Sequence, residues 1–192
     1  LDVPEDVVFR QLRWLTLEPN TLFWSQPPQL PEDDILWDIQ EAGQALLGEH
    51  GYRQYETSAY AQQGRRARHN LNYWTFGDFL GIGAGAHAKL SHADGRILRS
   101  WKTRLPKDYL DPAKAFRAGE KQLTADELPF EFLMNVLRLT DGVPAVLFTQ
   151  RTGLALDAIA KPRRDAEARG LLSNDPARLV ATPKGQLFLN DL

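Results

Sequence analysis

Six residues, Gly81-Ile82-Gly83-Ala84-Gly85-Ala86, restrict the fold of this 192-residue chain more than any others. Apart from Ile82, no side chain in them exceeds a methyl group, so their main chain can be approached closely by another backbone or by a flat ligand. Just upstream, His69-Asn70-Leu71-Asn72-Tyr73-Trp74 offers the opposite. It carries an imidazole able to ligate a metal, two carboxamides, and two aromatic faces on which a planar ring can stack. The stretch from His69 to Leu90 therefore reads as a site with one surface of backbone and one of side chains.

Gly81, Gly83 and Ala86 fit G-x-G-x-x-A, but a dinucleotide site needs a helix directly afterwards so that phosphate meets its N-terminus. The chain continues instead into Ser91-His92-Ala93-Asp94-Gly95-Arg96, whose Asp94-Gly95 pair between short runs predicts a hairpin turn. The dinucleotide reading is rejected. For the glycines, a kinked strand packed on a neighbour competes evenly with ligand contact. For His69 alone, a hydrogen-bonded structural histidine is the simpler assignment, and its surroundings have to decide.

A chain of this length makes one large domain or two small ones and buries a real core. Its 43% hydrophobic and 25% charged residues are those of a soluble globular protein. A net charge of -2 gives no electrostatic case for a polyanion, although Arg65, Arg66 and Arg68 cluster before the central stretch, so nucleic acid is not implied. No apolar run approaches membrane-spanning length, and Leu1-Asp2-Val3-Pro4-Glu5-Asp6 lacks the features of a signal peptide, which makes a cytoplasmic location the default expectation. The absence of cysteine excludes disulfides, thiol nucleophiles and any iron-sulfur cluster ligated by these residues. With no Met at position 1, a fragment or processed product is expected.

Val7 to Leu17 predicts a strand closed by Pro19, and 20–31 a loop in which Leu22, Phe23 and Trp24 need cover. Pro31-Glu32-Asp33-Asp34 opens a helix from about Glu32 to His50, with Ile35, Leu36, Ile39, Ala42, Leu46 and Leu47 as its apolar face. Tyr52 to Ala61 predicts a strand, Phe79 to Ala84 another, and Ile97 to Lys102 the return arm of the hairpin. Strand, helix and strand in alternation suggest part of a parallel α/β sheet, with Glu18 and the Gly81 to His87 segment converging at strand carboxyl ends.

From Pro106 the character changes. Asp111 to Gly119 predicts a short helix and exit, with a domain boundary near Gly119. Phe130 to Leu139, Val143 to Thr152 and Leu156 to Arg169 predict three helices. Leu171 to Val180 predicts two short strands about a turn, and Thr182-Pro183 caps a last helix. Three helices and a β-ribbon make a winged helix. Lys161, Arg163, Arg164 and Arg169 on its third helix raise a DNA-binding reading. Pro162 in mid-helix and the acids Asp157, Asp165 and Glu167 weigh against groove reading, so a structural or lid role is favoured.

With these residues in view, the chain resembles the C-terminal half of the HemW-type heme chaperones. They are a branch of the radical S-adenosylmethionine family that includes the oxygen-independent coproporphyrinogen III oxidases. The likeness rests on Leu15-Thr16-Leu17-Glu18-Pro19-Asn20-Thr21, Tyr55-Glu56-Thr57-Ser58-Ala59-Tyr60, His69-Asn70-Leu71-Asn72-Tyr73-Trp74 and Gly81-Ile82-Gly83-Ala84-Gly85-Ala86-His87. It extends to Trp101-Lys102-Thr103-Arg104 and the run from Glu131 to Leu139. The H-N-x-x-Y-W element is the specific part, because it separates the heme-chaperone branch from the oxidases.

The resemblance implies an α/β fold plus a winged helix. Residues 1–119 would be the C-terminal part of a radical S-adenosylmethionine (β/α) barrel with a β-hairpin, and 120–192 the winged-helix-like domain of these proteins. It implies His69 as axial heme ligand with Tyr73 and Trp74 as stacking surface. The backbone of Gly83, Ala84, Gly85, Ala86 and His87, with Glu18, would line a pocket for S-adenosylmethionine. It further implies a [4Fe-4S] cluster in the parent protein, whose C-x-x-x-C-x-x-C site is absent here, so this piece is expected to be inactive as an enzyme. A truncated barrel leaves strand edges and apolar surface uncovered, which predicts pairing with a second copy as a homodimer or an exposed sheet face. Heme binding and delivery is the first functional expectation, coproporphyrinogen III oxidation the second, and a DNA-binding winged helix the third.

Overall fold

Residues 9–11, 21–28, 31–189 and 192 are described by the computed structural model, and the chain divides into two units, Leu1–Ala67 and Arg68–Leu192. The first unit contains β1 (Phe9–Gln11), α1 (Leu22–Ser25), α2 (Asp33–Glu49), β2 (Arg53–Glu56) and β3 (Ala59–Ala61). Most of the strand expected over Val7 to Leu17, and Glu18 with it, lies outside the described residues. One turn of helix, α1, interrupts the expected loop because the Thr21 hydroxyl accepts a hydrogen bond from Trp24 N at 3.2 Å.

The long helix forms where its acidic start places it, with Asp33 and Asp34 at the positive end of the dipole. Its apolar stripe is not covered as expected: Ile35, Ile39 and Leu46 are 50%, 58% and 46% exposed, whereas Leu36, Gln40, Gly43 and Leu47 are half-buried. Tyr52 to Ala61 is a hairpin and not one strand. Thr57 and Ser58 turn the chain, and a connection so short forces an antiparallel return. The sheet order is β1-β3-β2, with Phe9 and Arg53 both opposite Ala61 and a bulge between Gln54 and Glu56. Tyr55, Ala59 and Tyr60 are buried, as is Glu56, whose Oε1 accepts from Ser58 Oγ at 3.1 Å. Among the described residues every paired strand is antiparallel, where the alternation of strand and helix suggests a parallel sheet.

The second unit opens with α3 (Arg68–Trp74), β4 (His87–Ser91), β5 (Ile97–Lys102), α4 (Pro106–Tyr109) and β6 (Arg117–Gln122). The Asp94-Gly95 hairpin is present, with Gly95 at φ +86° and the Asp94 carboxylate accepting from Arg96 N at 3.1 Å. Its return arm has the predicted bounds, and β6 adds a third antiparallel strand in the order β4-β5-β6. The helix expected over 111–119 lies earlier, at α4. Gly119, where the change of domain is expected, sits inside β6 opposite Trp101. A Cβ at Gly119 would stand 2.2 Å from the indole Cζ2, so the glycine is what lets Trp101 lie across the strand.

The rest of this unit is α5 (Leu128–Val136), β7 (Val143–Pro144), α6 (Val146–Thr152), a 3-10 turn at Leu156–Ile159, α7 (Ala160–Ala168), β8 (Arg178–Leu179) and α8 (Pro183–Leu187). The first residues of the helix expected over 143–152 are given up to β7, because Val143 pairs with Leu179. Pro162 is the third residue of α7 and not its middle. In the first turn of a helix a missing N–H costs little, so the proline starts this helix and does not break it. Arg163 is committed to the fold: its guanidinium donates to Glu167 Oε1 at 2.7 Å and to Asp175 O at 2.6 Å, clamping the turn before β8. Thr182 caps α8 as predicted, accepting from Gly185 N at 3.0 Å.

Beneath these elements lies one core, in which Phe132 meets Phe76 edge-on at 5.6 Å and Phe148 at 5.3 Å, with Ile97, Val136 and Leu179 around them. Arg99 on the sheet reaches Glu131 on α5 at 2.5 Å, tying the two layers together. Phe148 is fully buried, so Phe148→Ala is expected to cost roughly 3–5 kcal/mol in urea unfolding, through lost transfer energy and the cavity left behind. Thr182→Ala is expected to cost about 1 kcal/mol, the loss of one cap.

Candidate functional site

The helix α3 carries the side-chain half of the site, and the way it ends decides where its residues point. The Phe76 N–H bonds to Tyr73 O at 3.0 Å and Gly77 N–H to Asn72 O at 2.8 Å, the paired closure of a Schellman motif. Such a motif needs a left-handed residue, usually glycine. Here it is Phe76, at φ +56°. Asn72 serves this turn and is not a ligand group: its Nδ2 donates to Asp78 O at 2.8 Å, and its side chain fills the space a Cβ on Gly77 would need.

Lys89 holds Phe76 in that conformation. Its Nζ donates to Phe76 O at 3.1 Å and to Asp78 Oδ1 at 2.9 Å, and it stands 4.2 Å from the centroid of the Phe76 ring. The Lys89 side chain is 2% exposed, whereas that of Asp78 is 40% exposed. Burial pushes the Lys89 ammonium down, against the pull of Asp78. Burial would raise the Asp78 carboxyl, but the ammonium together with Ser91 N (3.0 Å) and Ser91 Oγ (2.9 Å) outweighs it and holds the group below its usual range. The sequence signal for this cluster is only a charged residue in a short apolar strand facing an aspartate after a glycine.

His69 is exposed on α3, one turn before Tyr73, and the two rings are 4.8 Å apart. Tyr73 in turn stacks on Phe79 at 4.0 Å, with 25° between the planes. Burial raises the Tyr73 phenol, with Arg99 opposing, so the ring is neutral near pH 7. Trp74 points elsewhere. It packs against the core with the Arg138 guanidinium 4.3 Å over its ring, and it meets Tyr73 edge-on at 6.2 Å. The row of rings is therefore His69, Tyr73 and Phe79, with His69 tilted 58° to Tyr73, and Phe79 is the first residue of the strand expected over Phe79 to Ala84.

The glycine segment is a loop and not the expected strand. Only Phe79 makes a bridge, to Lys89, after which the chain turns with Gly83 at φ +106° and Gly85 at φ +71° before His87 starts β4. Positive φ at two of three consecutive residues rules out an extended segment. Three of its donors are used: Gly83 N donates to Tyr109 Oη at 3.2 Å, Gly85 N to Thr103 O at 2.9 Å and Ala86 N to Gly83 O at 3.2 Å. The close approach the glycines permit is made by the chain itself at Gly81, where a Cβ would stand 2.2 Å from His87 O. At Gly83 a Cβ would meet nothing within 4 Å, so that face of the loop is open, next to an 87% exposed Ile82. His87 is exposed and stacks at 6.5 Å and 29° on Trp101. No group of three or more metal-ligating side chains lies among the described residues.

Residues 123–188, which begin directly after β6, match the family described as HemN C-terminal domain. The protein named heme chaperone HemW of Escherichia coli K12 is 49% identical over 183 residues, spanning 94% of this chain and 48% of that protein. The one so named in Haemophilus influenzae is 47% identical over 93% of this chain and 46% of its own length, and that of Bacillus subtilis 28% identical over 93% and 48%. Among solved structures, coproporphyrinogen III oxidase (HemN) of Escherichia coli, described as a radical SAM enzyme, has a TM-score of 0.59 at 17% identity, over 84% of this chain and 41% of that one. That is a likeness of mixed α/β fold. The chain spans about half the length of the curated relatives it matches.

The Asp78 shift sets a pH dependence. A carboxyl whose folded pKa lies below its unfolded value adds stability that is present above the unfolded value and is lost as pH falls through the folded one. Thermal melting followed from pH 6 down to pH 2 is expected to show a loss of Tm below about pH 4, and Asp78→Asn is expected to flatten that part of the profile.

Proposed function

We propose, on the premise that this chain is a homologue of the proteins named heme chaperone HemW and carries a HemN C-terminal domain, that the protein it belongs to binds heme and delivers it to acceptor proteins. The observation that supports this best is the exposed His69 imidazole seated on Tyr73, which is itself stacked on Phe79. Bound heme would supply an iron able to take an imidazole nitrogen and a broad flat ring that gains by lying on aromatic faces. His69 would hold the iron, Tyr73 would give the ring a surface, and Trp74 would brace Tyr73 from the core. An exposed ligand suits a carrier, which has to release what it binds.

In the same reading, the parent protein holds S-adenosylmethionine and a [4Fe-4S] cluster in the cytoplasm. The open side of the loop, from Gly83 through Ala84, Gly85 and Ala86 to His87, would face the nucleoside, with Glu18 as a further contact. The cluster cannot rest on this chain, which has no cysteine to ligate it. We assign residues 1–119 to the last part of a (β/α) barrel with its hairpin, and 120–192 to a winged-helix-like domain built from α5, α6, α7 and the β7–β8 ribbon. Coproporphyrinogen III oxidation is the alternative that the fold allows, and it makes no use of an exposed imidazole on α3.

Titration of hemin into the chain is expected to produce a saturable Soret shift at one equivalent, and His69→Ala to abolish it while leaving the melting curve unchanged. Identical spectra for the two proteins would remove His69 as the ligand.

A further inference from the structure

We infer that Lys89 is a positioning residue for the tetrapyrrole surface: through the turn at Phe76 and the bridge to Phe79 it sets the alignment of Tyr73 and His69. This rests on the heme reading above. Three contacts of the Nζ converge on residues 76–78, the turn that ends α3: the Phe76 carbonyl at 3.1 Å, the Phe76 ring at 4.2 Å and Asp78 Oδ1 at 2.9 Å. A phenylalanine at φ +56° keeps that conformation only where its surroundings over-determine it, and the ammonium grips both its carbonyl and its ring.

The main chain of the same lysine holds the next member of the row. Phe79 N donates to Lys89 O at 2.9 Å and Lys89 N to Phe79 O at 3.1 Å. From Lys89 to the exposed imidazole there is an unbroken line of contacts: the bridge to Phe79, the stack of Phe79 on Tyr73 at 4.0 Å, and the tilted contact of Tyr73 with His69 at 4.8 Å and 58°. An apolar side chain of equal length would fill the same space without the cost of burying a charge. What only the ammonium can do there is donate to a carbonyl in a left-handed turn and to the carboxylate beside it. Without it the turn relaxes toward negative φ, the end of α3 rotates, and Tyr73 slides off Phe79, taking His69 with it.

The test compares hemin titrations of the wild-type chain and Lys89→Met, with thermal melting of each to establish that it folds. The expected result is a folded Lys89→Met protein that binds hemin at least tenfold more weakly, with a Soret band displaced toward that of free hemin although His69 is intact. Rescue separates positioning from general packing. Because the chain has no cysteine, Lys89→Cys carries a single thiol, and alkylating it with 2-bromoethylamine in denaturant before refolding restores an ammonium at nearly the length of lysine. The alkylated protein is expected to regain the wild-type Soret band, and the unalkylated one is not. If Lys89→Met does not fold, Asp78→Asn, at a side chain 40% exposed, removes the counter-charge and is expected to weaken hemin binding severalfold. Hemin binding by Lys89→Met, or failing that by Asp78→Asn, equal to wild type overturns the inference. A wild-type chain that gives no Soret change overturns the heme reading, and the inference falls with it.

Discussion

A single buried ammonium organises the second unit of this chain. Lys89 stands among Phe76, Asp78 and Ser91 on a strand that otherwise fills space, and each of its partners belongs to a different piece of the site. Phe76 ends the helix that bears His69, Asp78 starts the return toward the sheet, and Ser91 closes the strand. Burying a cation this fully is unfavourable unless every proton finds an acceptor, and here two oxygens and an aromatic face lie close, with the Ser91 hydroxyl at 3.4 Å. The charge therefore acts as a specification: only one arrangement of these residues satisfies it. The Schellman turn, the bridge at Phe79 and the core contact of Phe76 with Phe132 are then three views of the same constraint.

That constraint also divides labour within the stretch from His69 to Leu90. Side chains that look equivalent along the sequence separate once α3 ends where it does. His69 and Tyr73, one turn apart, share the outer face, whereas Trp74, rotated by about 100° from Tyr73, falls to the core under Arg138. The glycines separate likewise. Gly81 is consumed by contact with the chain's own backbone, while Gly83 keeps an open side. A ligand meeting this surface would find a few groups ready and the others already engaged in holding them.

Local signals in the sequence were the dependable ones. The acidic start of α2, the Asp94-Gly95 turn and the Thr182 cap each act within a few residues, and each is present. What could not be read needed partners far along the chain. The strand expected over Phe79 to Ala84 became a loop because Tyr109 captures the Gly83 N–H and Thr103 that of Gly85 just after it. The break expected at Pro162 became a helix start because the preceding 3-10 turn shifts the register. The hairpin at Thr57 and Ser58 lacks the glycine or asparagine that announces most tight turns, and so it read as one continuous strand. His69 and Tyr73 stand in the H-N-x-x-Y-W element on which the resemblance rests, whereas Phe79 and Lys89 become visible only once β4 and the end of α3 are placed side by side.

The packing of Trp101 across Gly119 has a consequence for how this family can vary. The three atoms nearest to a Cβ at 119 all belong to the indole and none to the backbone, so the two positions constrain each other. The order of replacement then matters. A lineage that first shortens residue 101 gains freedom at 119 at once, while one that begins at 119 passes through a clash. Trp101 and Gly119 are accordingly coupled positions, and sequences with a small residue at the first are where alanine or serine at the second is expected.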